Sequence, residues 1–200
     1  MTVSASVVEM STAIPLQGMD ILVDTNVWYW VANPFLYNPP PHGRAYPHFI
    51  QMAKNAGSRL HACELSIAEL AHVIERERML WRNSLTNNRF RSLKDFRGDA
   101  AERKDTVDEL EMTSTQIHSM ADDLPGELNR HLGSAAMSRL RTEPLDGPDA
   151  FLIEIAHRSG ITRILTNDRD FIYVPGLMVI TDNPTSIDKA RRARKLVPLS

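Results

Sequence analysis

Cysteine is almost absent from the chain, since Cys63 is the single one in 200 residues. One cysteine excludes an intramolecular disulfide and every zinc pattern that needs paired cysteines. Such a composition is typical of a reducing compartment, so we expect a cytoplasmic protein.

Long apolar runs and a charge excess are also missing. No run approaches the roughly 20 residues of a membrane span, and the N-terminus lacks the pattern of a secretory signal, so we expect neither a membrane nor a secreted protein. Lys and Arg number 23 against 25 Asp and Glu, for a net charge of −2. Without a global basic field, any site for a polyanion must be local. No nucleotide-binding glycine motif and no His-Glu-x-x-His pattern occurs.

Short apolar runs that alternate with helical patterns predict the fold. The length and the 42% hydrophobic content suit one domain with room for an insertion. The runs are continuous rather than alternating, which indicates parallel strands covered on both faces. We therefore predict an α/β fold with a parallel sheet flanked by helices. The predicted strands are 21–23, 59–65, 161–166 and 177–181.

The rest of the chain divides into a leader, an insertion and a tail. Residues 1–19 carry one charge and no clear period, which predicts a weakly ordered leader, and Met19 is an alternative start. The domain then covers 20–184, with a loop at the prolines of 38–43 and a charged, helical insertion without strands over about 82–143. The tail, 185–200, is basic through Arg191, Arg192, Arg194 and Lys195, which suits either RNA backbone contacts or a solvated helix.

Acidic residues stand where the predicted strands end. Asp24 and Asp168 each follow a strand, Asp149 begins the helix before strand 161–166, and Glu69 lies in the first turn after strand 59–65. Ligands of parallel α/β sheets bind at the carboxyl ends of the strands, so these four side chains are the candidate site.

Four carboxylates at one edge of a sheet need a counter-charge. At a separation of about 5 Å, each pair repels by roughly 3 kcal/mol at an effective dielectric constant of 20. Oxygen ligands without cysteine or paired histidine select Mg²⁺ or Mn²⁺. Such an ion can activate a water and neutralise a phosphodiester, which indicates phosphodiester hydrolysis.

Each acid also has a structural alternative. Asp24 could merely cap the following helix, and Glu69 could complete a capping box with Ser66. Asp149 could favour its helix through the dipole, with Asp146 as its rival for the functional position.

Two further alternatives concern a turn and a run of aromatic residues. Asp168 and Asp170 could form only a turn after the strand. The three aromatic residues Trp28, Tyr29 and Trp30 invite a base-stacking interpretation, although aromatic residues directly after a first strand are more often core.

Four segments containing these acids resemble, in order, the acidic motifs of PIN-domain nucleases, and most closely those of the VapC-like toxin ribonucleases. They are ILVDTNVW (21–28), SIAEL (66–70), PDAFLI (148–153) and ILTNDRDF (164–171). The resemblance covers most of 20–182 but excludes the leader, the insertion and the tail. The stretch between the second and third motifs is longer than in compact toxins of this family.

The resemblance implies roles for these residues. Asp24, Glu69, Asp149 and Asp168 would be the catalytic, metal-binding acids, with Asp170 as an accessory ligand. The residues beside them would position water or phosphate, namely Thr25, Asn26, Thr166 and Asn167.

The expected function is a metal-dependent endoribonuclease that hydrolyses RNA by metal-activated water, as the toxin of a toxin-antitoxin pair. The resemblance also implies a homodimer and a cognate antitoxin partner. Alternatives are a DNA or structure-specific nuclease with the same acids, and a non-catalytic RNA-binding protein on this fold. A phosphoaspartyl phosphatase is disfavoured, because Asn26 stands where its second acid is needed.

Overall fold

The computed structural model describes residues 1–15, 17–36 and 41–199. Half of the predicted proline loop, residues 38–40, lies outside the described residues, and Pro41–Arg44 forms a short 3₁₀ turn. No helix in the described ranges is long and apolar enough to cross a membrane.

Six parallel strands form one sheet in the described part of the chain, in the order β1-β6-β5-β2-β3-β4. They are β1 (Ser6–Glu9), β2 (Asp20–Val23), β3 (Arg59–Cys63), β4 (Asp122–Leu124), β5 (Arg163–Leu165) and β6 (Met178–Thr181). Each of the four predicted strands is present, and the predicted parallel α/β architecture is confirmed.

Helices cover both faces of the sheet. They are α1 (Thr25–Ala32), α2 (Ala45–Asn55), α3 (Glu64–Leu85), α4 (Leu93–Gly98), α5 (Ala100–Met120), α6 (Arg130–Arg139), α7 (Gly147–Arg158) and α8 (Pro184–Arg192). Successive residues of a strand point to opposite faces. Leu22 accordingly packs in the core beside α6 and α7, while Ile21 and Val23 pack in the core beside α1, α2 and α3. Both faces are buried, which explains the continuous apolar runs.

The predicted leader is not weakly ordered, so that prediction is wrong. Ser6–Glu9 forms the edge strand β1, where Val7 pairs with Val179 of β6 and is fully buried. The predicted tail closes the other side of this strand: Val7 donates a backbone hydrogen bond to Lys195, and Val197 donates one to Val7. A strand with only two apolar residues is stable here because it has backbone partners on both sides, β6 on one and the tail on the other.

The insertion is helical as predicted, except for one strand. β4 contradicts the prediction that 82–143 holds no strand: its backbone pairs with β3, although two of its three residues are acids. Buried ion pairs fix α5 against α3, with Arg78 donating to Glu109 at 3.0 Å. Asn33, at the end of α1, donates to the same carboxylate at 2.8 Å. The insertion therefore contacts the end of α1, the helix that Asp24 caps.

Candidate active site

The four predicted acids converge in one cleft of about 380 Å³ at the carboxyl edge of the sheet. Asp24 and Asp168 follow β2 and β5, and Asp149 projects from the first turn of α7. Glu69 lies in the second turn of α3, not in the first turn as predicted, because the helix already begins at Glu64. The described side chains that line this cleft are Asp24, Thr25, Asn26, Tyr29, Trp30, Glu69, Val73, Arg76, Glu77, Asp146, Asp149 and Asp168.

Asp24 is both the cap of α1 and a member of the cleft. Its carboxylate accepts the backbone N–H of Thr25 at 2.7 Å, as a capping residue does. The same carboxylate accepts the Thr166 hydroxyl at 2.6 Å and the Asn26 amide at 2.5 Å. Burial raises its pKa to about 7, with the charges of Glu69 and Asp168 adding to the rise and the hydrogen bonds opposing it. The capping and site interpretations are therefore compatible.

Thr25 and Thr166 hold the acids in place. The Thr25 hydroxyl donates to Glu69 at 2.8 Å, and the Thr166 hydroxyl, besides donating to Asp24, accepts the backbone N–H of Asp168 at 2.9 Å. Both threonines are buried. Their hydroxyls are hydrogen-bonded to the candidate acids and to the backbone beside them. A role of these threonines in positioning water or phosphate stays a prediction.

Asn26 and Asn167 tie the two strand ends together. The Asn26 side chain accepts the backbone N–H of Asn167 at 3.1 Å and donates to Asp24. Behind them, the buried Tyr46 of α2 donates to the Thr166 carbonyl at 3.1 Å. Sequence reasoning missed Tyr46, because nothing in the pattern of its helix links it to a strand end.

The predicted capping box around Glu69 is wrong. α3 begins at Glu64, so Ser66 lies inside the first turn, and its buried hydroxyl has no hydrogen-bond partner. Glu69 is thereby freed from a capping role and accepts from Thr25 instead. Burial raises its pKa, and the charges of Asp146 and Asp168 raise it further.

Asp146 and Asp149 both belong to the cleft, with different roles. Asp146 caps α7 and accepts the backbone N–H of Asp149 at 3.0 Å. Asp149 is only 9% exposed. Burial raises its pKa to about 9, and the neighbouring acids, led by Asp24, add to the rise. Asp146 is therefore the cap of α7, and Asp149 lies beside it as a buried acid.

The remaining predicted site residues lie outside the cleft. Asp170 is exposed and donates its backbone N–H to Asp168 at 2.8 Å, within a 3₁₀ turn over Asp170–Tyr173. Burial and the charge of Asp168 raise its pKa. In the basic tail, Arg191 pairs with Glu9 and Arg192 with Asp188. Arg194 and Lys195 follow at the end of α8, and none of these four lines the cleft.

The donor set of the cleft fits a hard divalent cation, because it consists of oxygen atoms. In the described residues, the one group of three or more ligand atoms within 4.8 Å of one another is exposed and lies elsewhere, at Glu64, His118 and Asp123. The cleft acids are thus spaced more widely. Mg²⁺ keeps several waters and binds through one or two carboxylates, so this spacing suits it better than a closed cage would.

Three comparisons place the chain among known proteins. A family model described as "PIN domain" matches residues 21–177, a span that contains all four acidic segments. No curated protein matches the chain.

Two solved structures are similar to the chain. One is VapBC2 from Rickettsia felis bound to a DNA fragment from their promoter, with TM-score 0.48, 14% identity, and coverage of 82% of this chain and 100% of that one. The other is FitAcB from Neisseria gonorrhoeae, with TM-score 0.46, 16% identity, and coverage of 81% and 97%.

Proposed function

Because the chain belongs to the PIN-domain family, whose members are nucleases, we propose that it is a metal-dependent endoribonuclease that hydrolyses RNA phosphodiester bonds. The observation that carries this proposal is the convergence of Asp24, Glu69, Asp149 and Asp168 in one cleft. Burial and mutual repulsion raise the pKa of three of them. Such a cluster lowers the stability of the fold, and strongly shifted pKa values in a cleft are typical of functional sites.

The residues that would hold the cation, Mg²⁺ or Mn²⁺, are the four acids of the cleft, Asp24, Glu69, Asp149 and Asp168. When bound, it supplies positive charge to a phosphodiester and lowers the pKa of water. Before it binds, Asp149 carries a proton at neutral pH, since its pKa is about 9. The hydrogen bonds from Thr166, Asn26 and Thr25 hold the Asp24 oxygens in one orientation, so this carboxylate is preorganised.

The choice of RNA and a role as the toxin of a toxin-antitoxin pair rest on the family resemblance. They bring three further proposals: an antitoxin that covers the acidic cleft, a homodimer, and action in the cytoplasm. The basic residues Arg191, Arg192, Arg194 and Lys195 remain proposed contacts for RNA backbone outside the cleft. Asp170 remains a proposed accessory ligand.

The test is cleavage of labelled single-stranded RNA, single-stranded DNA and flapped duplex by the purified chain with Mg²⁺ or Mn²⁺. We expect RNA to be cut, and cleavage to stop in EDTA and in Asp24→Asn. The matched control is Asp108→Asn, which removes a half-exposed carboxylate of α5 outside the cleft and should cut normally.

Each alternative has its own outcome in this assay. Preferred cleavage of DNA or of the flap would replace the RNA assignment with a DNA or structure-specific nuclease. Folded protein that binds RNA and Mg²⁺ but cuts none of the substrates would indicate the non-catalytic binding role. Growth arrest on expression, relieved by Asp24→Asn and by a co-expressed small protein from the neighbouring gene, would test the toxin role.

A further inference from the structure

The lining of the cleft also contains an aromatic and a basic side chain, for which the acids give no explanation. Six of the described side chains that line it are carboxylates, whereas Trp30 of α1 and Arg76 of α3 lie among them with a different chemistry. Arg76 is the one basic residue in this described lining. Aromatic rings stack on nucleic-acid bases and guanidinium groups bind phosphates, so these two residues are candidates for contacts with a nucleotide.

Arg76 is positioned to meet an anion that enters beside the acids. It lies seven residues after Glu69, two turns along the same face of α3. Its side chain is 52% exposed, and its ion pair with the adjacent Glu77 is long, at 3.3 Å. A phosphodiester entering a cleft of six carboxylates needs a compensating charge, and a guanidinium binds two phosphate oxygens at once.

The Trp30 ring is held in place from behind by a neighbouring aromatic ring. Its ring packs on that of Tyr46, with the centroids 5.4 Å apart. Tyr46 is fully buried, and its hydroxyl donates to Thr166 and accepts from the backbone N–H of Asp182. Trp28 is fully buried in the core, whereas Trp30 is only partly buried and lines the cleft. The base-stacking interpretation therefore applies to Trp30 and not to Trp28.

We propose that Trp30 and Arg76 form a nucleotide subsite, in which one unpaired base stacks on Trp30 while Arg76 binds a neighbouring phosphate. This inference rests on the proposed function and specifies its substrate class as single-stranded nucleic acid. A base inside a duplex is already stacked and presents no face to an aromatic side chain, so duplexes are excluded from this subsite.

The test measures binding of labelled single-stranded RNA by fluorescence anisotropy with Mg²⁺, in the Asp24→Asn background so that the RNA stays intact. Trp30→Leu retains apolar packing on Tyr46 but offers no aromatic face, and we expect it to weaken binding about 10-fold. An oligonucleotide of the same length without bases should lose the same affinity in the parent and nothing further in Trp30→Leu.

Arg76 is tested through the salt dependence of binding. Arg76→Gln should lower the slope of log K against log salt by about 0.7, as expected for one lost phosphate contact on a single strand. Arg76→Lys should preserve the slope. Matched controls are Trp81→Leu, on α3 outside the cleft, and Arg103→Gln, which lines a different groove on α5, and neither should change binding.

Several results would overturn the subsite. Among them are no binding of the single strand by the parent, full sensitivity to missing bases in Trp30→Leu, or equal affinity for duplex and single strand. If RNA is cut but the Trp30 and Arg76 variants keep the parental KM, the subsite fails and the proposed function stands. If the binding effects occur without any cleavage, the subsite stands and the proposed catalytic function fails.

Discussion

Asp149→Asn should stabilise the metal-free protein at neutral pH, although it removes a candidate metal ligand. Asp149 is 9% exposed and faces the charges of Asp24, Asp146, Asp168 and Glu69. Burial and these neighbours raise its pKa from 3.8 to about 9. An asparagine of nearly the same shape is neutral without taking up a proton, so the variant escapes the cost of protonating this side chain on folding.

The size of the effect follows from the linkage between proton binding and folding. A carboxyl whose pKa is higher in the folded state binds its proton more tightly there. Its contribution to stability is complete below about pH 3.8 and is lost as the pH rises towards about 9. At pH 7, roughly three units above the unfolded value, the loss is about 4 kcal/mol at about 1.36 kcal/mol per unit. For a chain of this length that corresponds to a Tm lower by about 10 °C.

The assay is urea denaturation in EDTA, followed by circular dichroism, at pH 4 and pH 7. The stability difference between Asp149→Asn and the wild type should grow by about 4 kcal/mol between the two pH values, and Mg²⁺ should stabilise the wild type but not the variant. The control is Asp108→Asn, which changes a half-exposed acid outside the cleft and should show a much smaller growth. A stability difference that stays constant with pH would show that Asp149 does not have the raised pKa on which this prediction depends.

Four other perturbations test the rest of the structure. Thr166→Val removes the hydroxyl that donates to Asp24, so we expect slower cleavage and a loss of about 1–3 kcal/mol in urea denaturation. Metal affinity should fall from pH 8 to pH 6, because Asp24, with a pKa of about 7, gains a proton that competes with the cation. Titration calorimetry at the two pH values measures this affinity, and equal affinities would contradict the prediction. Glu109→Ala strips a buried partner from Arg78 and should destabilise the protein by about 3–5 kcal/mol in urea. Val7→Asp buries a carboxylate in β1 and should lower the Tm and expose both chain ends to protease.

Matched exposed positions serve as controls for three of these variants. Thr142→Val, Glu111→Ala and Val107→Asp change the same residue types on the surface and should each alter stability by less than about 0.5 kcal/mol. Equal losses at a buried site and at its exposed control would show that the substitution, rather than the contact described, causes the effect.

The strands that the sequence predicts correctly are those whose own residues carry the signal. Ile21, Leu22 and Val23 are buried on both faces of the sheet, so a continuous apolar run precedes Asp24. β1 and β4 lack this signal. β1 has two valines and depends on a partner from the far end of the chain. β4 has two exposed acids and only one buried side chain, Leu124, beside its backbone pairing with β3.

The acids of the site could be predicted because chain direction places them at strand ends, but their neighbours could not. Asp146 caps α7 by accepting one hydrogen bond, from the backbone N–H of Asp149. The sequence alone does not show which of these two acids is the cap, because both stand at the start of the helix. Trp30 and Arg76 belong to the cleft because α1 and α3 lie side by side. Helical periodicity places each on a face of its own helix and says nothing of the helix opposite.

The pairing around β1 joins segments that lie far apart in the sequence. β1 pairs with β6, and the backbone of Val7 also bonds to Lys195 and Val197. Contacts between residues so distant along the chain form slowly, because a long loop must close before they contribute. We therefore expect β1 to join the sheet late in folding, after β5 and β6 have paired.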